Sequence, residues 1–245
     1  MSLLRTALLT IAFAPALSAQ ALPTAKDLMD KHDAAIGSRA SLASHASFKQ
    51  AGSMSIPAAG MDATIEIFKE KSGRYVQRVS LGAMGEVVTG FDGKNGWSVQ
   101  PGAGAALLDS ATTRDLKDQA DFFAAFHDAS RYKSAETIGI VDFDGRKCYK
   151  VKIVRMAGGE GFEYFDVATG LSAGAEREVD TPGGKMQTTT IANEYKDFGG
   201  FKIATKITQK LPQYEAIVNL TVFEFDKVDA AVFALPESLK ASAKP

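Results

Sequence analysis

The sequence predicts a mainly β protein, a strongly curved, unclosed antiparallel sheet of about 11–12 strands, with helices covering its concave face. Three observations predict this half-barrel. From about residue 43 onward the apolar residues recur mostly with a period of 2 rather than 3.6. The segments are joined by short connectors such as Lys71-Ser72-Gly73, Asp92-Gly93-Lys94-Asn95-Gly96 and Asp144-Gly145, where positive φ is cheap and neighbours fold back as antiparallel hairpins. Each added strand pair twists the sheet by roughly −20 to −25°, so a sheet this wide cannot stay flat and must curl.

Residues 1–21 stand apart from that pattern. Arg5 supplies a positive start, Ala7 to Leu17 is almost continuously apolar, and small residues follow at Ser18, Ala19 and Ala21. This is the layout of an export signal cut after Ser18 or after Ala21. The apolar run is short for a membrane span, and no later run approaches that length, so no transmembrane helix is expected. A mature chain from 22 to 239 forms one domain in this reading, and residues 240–245 form a disordered tail. Cys148 is the one cysteine, which rules out an intrachain disulfide and a thiolate metal cluster. An exported chain that uses no disulfide fits the periplasm of a Gram-negative bacterium.

The elements follow in order. Residues 24–37 read as an amphipathic helix, with Thr24 and Asp27 as a capping-box start, Leu28, Met29, His32 and Ile36 at helical spacing, and Gly37 at the end. Strands are expected at about 43–56, 61–70, 73–81, 84–91 and 95–99. Pro101 breaks the pattern, residues 101–106 are rich in Gly and Ala, and 107–131 read as a helix carrying Leu116, Phe122, Phe123 and Phe126. Seven more strands are expected at 134–142, 147–156, 160–166, 172–180, 184–195, 201–210 and 215–227. In the last of these, Phe223 and Phe225 share a face with Ile217, while Val218 and Leu220 point to the other. Val232, Phe233 and Leu235 pin the end of the sheet. The two helical pieces fill the concavity only in part, which leaves a pocket.

Composition and motifs narrow the function. With 28 Lys+Arg against 29 Asp+Glu, the chain lacks the basic excess of a nucleic-acid binder. Neither G-x-G-x-x-G, a P-loop, H-E-x-x-H nor G-x-S-x-G is present, so no enzyme class, cofactor or metal is indicated. His32, His45 and His127 are scattered and read as surface or packed side chains, and Cys148 as a buried, inert thiol. The aromatic residues Trp97, Phe122, Phe123, Phe126, Phe162, Phe223 and Phe225 are the candidate lining of the pocket.

The order of these pieces resembles a known family. Residues 84–99 (MGEVVTGFDGKNGWSV) are followed by a Pro-Gly break and a helical segment ending in Gln119-Ala120-Asp121-Phe122. Then come Gly145-Arg146-Lys147-Cys148-Tyr149, Tyr164-Phe165-Asp166 and Tyr195-Lys196-Asp197-Phe198-Gly199-Gly200. Over about 25–236 the chain resembles the LolA-like group, exported proteins related to the outer-membrane lipoprotein-sorting carrier. The resemblance implies a periplasmic, non-enzymatic protein that holds a hydrophobic ligand (a lipid, an acyl chain or a lipoprotein anchor) under a curved sheet. Its partners would be that ligand or lipoprotein and an envelope membrane protein, and the protein is expected to be a monomer. The alternative on the same scaffold is an envelope interaction or sensing module.

Overall fold

The computed structural model describes residues 21–156, 158–181 and 184–242. Residues 1–20 of the expected export signal, Pro182 and Gly183 of the expected turn, and the last three residues of the tail lie outside it. The structure forms one 13-stranded antiparallel sheet. The first six strands are β1 (Ser47–Ile56), β2 (Met61–Glu70), β3 (Arg74–Ser80), β4 (Glu86–Phe91), β5 (Gly96–Gln100) and β6 (Gly104–Leu107). The remaining seven are β7 (Tyr132–Phe143), β8 (Arg146–Arg155), β9 (Glu160–Asp166), β10 (Ser172–Thr181), β11 (Gly184–Asp197), β12 (Lys202–Lys210) and β13 (Glu215–Phe225).

Each half is a meander, and the halves join where β1 pairs with β13 in the middle of the sheet. The two outer edges are therefore β6 and β7, which are consecutive in the chain but unpaired with each other. Residues 108–131 must cross the whole sheet to connect them. That crossing lies on the same face as helix α1 (Ala25–Ile36), here called the inner face. Its Leu116 packs with Tyr75 and Phe91 near one edge, Phe122 meets Phe48 at the centre, and His127 meets Phe165 toward the other edge.

Helix α1 forms as expected. The Thr24 hydroxyl accepts from the Asp27 backbone N–H, and the Asp27 carboxylate accepts from the Thr24 backbone N–H. Its buried stripe of Ala25, Leu28 and Met29 sits on Val151, Ile153 and Phe165. Gly37 ends it at φ 130, and a Cβ there would collide with the Gly200 carbonyl, so a bulkier residue could not bridge to Phe201.

Several expectations are corrected. The first strand begins at Ser47 rather than 43, because Ser38 caps a short helix α2 (Arg39–Ala43) anchored by the buried Leu42. The helix expected over 107–131 is mostly something else. Leu107 pairs with Trp97 as part of β6, which raises the expected strand number to 13. Helix α3 is only Ser110–Gln119, capped by Asp109. After Ala120 the Asp121 carboxylate takes the Phe123 backbone N–H at 2.9 Å, and Asp128 takes that of Ser130 at 3.0 Å. Such side-chain acceptors compete with the helical ladder and favour turns. In β13 the register slips between Ala51 and Gly52 of its partner, so Thr221 is an extra residue. The bulge turns Val218 and Leu220 to the same side as Phe223 and Phe225, not the opposite one.

The outer face is apolar too, and over one half of the sheet it is closed. Over β2 to β6 a C-terminal segment, Ala230–Phe233 and Glu237–Leu239, lays Phe233 and Leu239 on Phe68, Val76 and Trp97. Gly90 has no side chain because the Trp97 ring occupies that space.

Candidate functional site: a two-compartment cavity

On the inner face the crossing segment leaves open space on both of its sides. One compartment, about 500 Å³, is walled mainly by aliphatic side chains: Ile36, Met54, Ile65, Ile67, Ile203, Ile207, Val218 and Leu220. The other, about 890 Å³, is walled by Tyr75, Tyr132, Lys69, Lys117, Arg131, Arg155 and Arg177, with Asp118, Asp121 and Glu163. Both volumes lie in the range of small-molecule sites, roughly 300–1,000 Å³. The compartments share Gln50, Ile67, Gln77, Ala124, His127, Glu163 and Arg177, so one wall serves both.

The shared wall carries a buried ion network. His127 Nδ1 lies 2.8 Å from Asp33 Oδ1, and its Nε2 lies 3.1 Å from Glu163 Oε2. The His127 backbone N–H also donates to both Asp33 oxygens, at 3.2 and 3.0 Å. Burial on its own would lower the imidazole pKa, yet the hydrogen bonds to Asp33 and Glu163 outweigh it and lift the group to about 9. His127 is therefore an imidazolium at neutral pH, donating from both ring nitrogens. Burial pushes the Glu163 carboxyl up, but the His127 bond and charge, Arg177 and Arg155 together hold it below the ordinary range. Arg155 and Arg177 each approach Glu163 Oε1 at 3.6 Å.

His32 is the opposite case. Burial, then the His127 charge, lower it to about 4, so it is neutral, and its Nδ1 accepts from the Ser172 backbone N–H at 3.0 Å. Ligand atoms of His32, Asp33 and His127 lie within 4.8 Å of one another, a spacing a metal could use. The network already commits His127 through two N–H donors and His32 through Nδ1, so a metal would first have to break these bonds. Lys69 faces the larger compartment. Its ammonium donates to the Asp121 backbone carbonyl at 3.3 Å, and burial, then the Arg131 charge, lower it to about 8. Asp121 itself is paired with Arg131.

Of the seven aromatic residues expected to line the pocket, Phe126 borders the larger compartment. Phe122, Phe123, Phe223 and Phe225 pack instead in or against the inner core, with Phe48 stacked on Phe223 at 5.0 Å and Arg39 over Phe123 at 4.7 Å. Trp97 lies on the outer face under the C-terminal segment. Phe162 alternates to the outer face as well, beneath the Lys150 ammonium at 3.8 Å. What the sequence reading missed are the aliphatic pairs Ile65/Ile67, Ile203/Ile207 and Val218/Leu220. Their two-residue and four-residue spacing on strands is the signal that could have found them. His45 is a packed surface histidine, stacked on Phe225 and bonded to Asp226 at 2.6 Å. Cys148 is fully buried on the outer face, where burial lifts its thiol to about 11.

The unclosed antiparallel sheet with its crossing segment is a fold shared with solved proteins of several descriptions. The comparisons agree on the fold. The structure superposes on a DUF1329 family protein from Desulfovibrio piger with a TM-score of 0.61 at 11% identity, covering 86% of this chain and 97% of that one. A LolA superfamily protein from Nitrosomonas europaea gives 0.57 at 12% identity, covering 87% and 99%. A domain from Vibrio parahaemolyticus, described as an outer membrane lipoprotein-sorting protein, gives 0.55 at 10% identity, covering 87% and 94%. No family model matches the sequence, and no curated protein matches it significantly.

Proposed function

We propose that this protein is a periplasmic carrier that binds a hydrophobic ligand in the inner-face cavity, as a non-enzymatic component of lipid or lipoprotein traffic. The observation that carries the reading is the aliphatic compartment of about 500 Å³, left unfilled although the strands around it are apolar. A chain placed there would gain about 0.8 kcal/mol for each CH₂ removed from water. The fold likeness to a domain described as lipoprotein-sorting supports the same reading. So do the apolar run and small residues at 1–21, as an export signal. Among the described residues no helix is long and apolar enough to cross a membrane.

Binding accounts for the site better than catalysis does. His127 has no lone pair to act as a base while both nitrogens donate to carboxylates, and Cys148 is buried on the far face of the sheet. The test is native mass spectrometry of the protein recovered from a periplasm, followed by organic extraction. The expected result is a co-purifying species of a few hundred daltons with acyl-chain fragments. A clean apo mass, with no uptake of added long-chain amphiphiles, would overturn the reading.

A further inference from the structure

The charges around the larger compartment do not balance. In the ion network at the shared wall, Asp33 and Glu163 face three cations, His127, Arg155 and Arg177. Also lining this compartment, Asp121 is the carboxylate paired with Arg131, and Lys69 donates to the Asp121 backbone carbonyl and lies 6.0 Å from the Tyr75 ring centroid, with no carboxylate partner among the described residues. Each group is therefore one positive charge in excess. The guanidinium contacts to Glu163, at 3.6 Å, are long for charge-assisted hydrogen bonds, which form at about 2.7–2.9 Å, so these partly exposed donors are not tightly engaged by Glu163 and can turn to a ligand. Burying a cation without a counter-charge is costly, and the depressed pKa of Lys69 reports that cost. A bound anion would relieve both groups at once.

The smaller compartment has the complementary character. Away from the shared wall it is lined mainly by aliphatic side chains, and it adjoins the cationic one across Gln50, Gln77 and Arg177. We propose that the ligand is an anionic amphiphile, with its hydrocarbon chain among Ile65, Ile207, Val218 and Leu220 and its phosphate or carboxylate headgroup between Lys69, Arg155 and Arg177. The inference rests on the carrier reading above and narrows it, from any hydrophobic ligand to one with a negative head.

The experiment displaces a fluorescent apolar probe from the protein with dodecyl phosphate, dodecanol and dodecyltrimethylammonium in parallel, and with inorganic phosphate alone. The expected result is a preference for the phosphate amphiphile on the order of tenfold or more over the neutral and cationic partners, as charge-assisted bonds predict. Lys69→Gln is expected to shrink that preference to within about threefold, and Arg177→Gln, whose side chain is 48% exposed and so safer for folding, to do the same. Equal affinity for the three chains would overturn the anionic head and leave the carrier reading standing. Tight binding of inorganic phosphate with no gain from the chain would overturn the amphiphile. If no chain displaces the probe, the carrier reading itself falls.

Discussion

The two faces of strand β2 show how one sheet can be sealed on one side and left open on the other. Phe68 points outward and is sealed by Phe233 and Leu239 of the C-terminal segment, with Phe233 only 1% exposed. Ile65 and Ile67, one to three residues away, point inward to the aliphatic compartment, where the crossing segment stops short of filling the space. Alternation sends Ile65 and Ile67 to one face and Phe68 to the other, so both faces are apolar here. What differs is the covering element. The outer cover is a pair of tight turns whose large side chains interlock with Trp97 and Val76. The inner cover is held by Leu116 at one side, Phe122 at the centre and His127 at the other, and presents small residues, Ala124 and Ala125, to the cavity. An apolar face left open carries a cost, and such faces mark sites of interaction, for which the carrier proposal names a ligand.

The largest effect that would break this comparison lies on the sealed face. Phe233→Ala should destabilise the protein by about 3–5 kcal/mol, because it deletes a fully buried aromatic ring and leaves a cavity. Chemical denaturation should show that loss as a lower midpoint with an unchanged slope. Affinity for the amphiphile should hold within about twofold under native conditions, since neither Phe233 nor the residues it packs on (Phe68, Val76, Trp97) line either compartment. A variant that unfolds normally but loses ligand would mean the C-terminal segment belongs to the binding site.

Next in size is the anchor of the inner cover. His127 has a folded pKa of about 9 against 6.5 for an ordinary histidine. The folded state therefore binds more protons than the unfolded chain between these values. Its contribution is complete below about 6.5 and is lost as pH rises through about 9. Lys69, lowered to about 8, acts in the opposite sense from that pH up to its ordinary 10.5, so the decline is clearest between 6.5 and 8. His32, lowered to about 4, removes stability as pH falls from 6.5, which sets the other flank. Stability measured across this range should fall from 6.5 to 8 in the wild type, and His127→Gln should flatten that arm and leave a weaker acid flank, since burial still lowers His32 but the His127 charge no longer does. Equal slopes in the two proteins would show that His127 is not the ion that ties the crossing segment to Asp33 and Glu163.

The same comparison explains what was legible in the sequence. Local signals were read well. The Thr24/Asp27 capping box, the Asp92–Gly96 and Asp144-Gly145 turns and the two meanders all depend on residues close in the chain. The half-barrel followed from their number. Signals that depend on pairing were not visible. Leu107 joins a strand only because Trp97 lies opposite, and the extra residue at Thr221 exists only relative to β1, so the face of Val218 and Leu220 came out reversed. Large rings are good fillers, and most of the aromatic residues expected to line the pocket sit in filled space. The ion network joins residues 94 and 36 positions apart, and no motif spans such distances.

The smallest expected effect on stability should have the largest effect on binding. Ile207 pairs with Val218 across β12 and β13, and both border the aliphatic compartment. Overpacking a well-packed core typically costs 1–3 kcal/mol, because neighbours must move. At Ile207 a larger side chain can extend into space that is already there, so Ile207→Trp should cost less than about 1 kcal/mol. The indole would occupy volume that the hydrocarbon chain needs, so affinity for dodecyl phosphate should fall at least about tenfold. Inorganic phosphate, which needs only the cationic compartment, should bind the variant as it binds the wild type. A strongly destabilised variant would mean that the compartment is already packed. A stable variant with full affinity for the amphiphile would place the chain elsewhere, and the open inner face would then need another explanation.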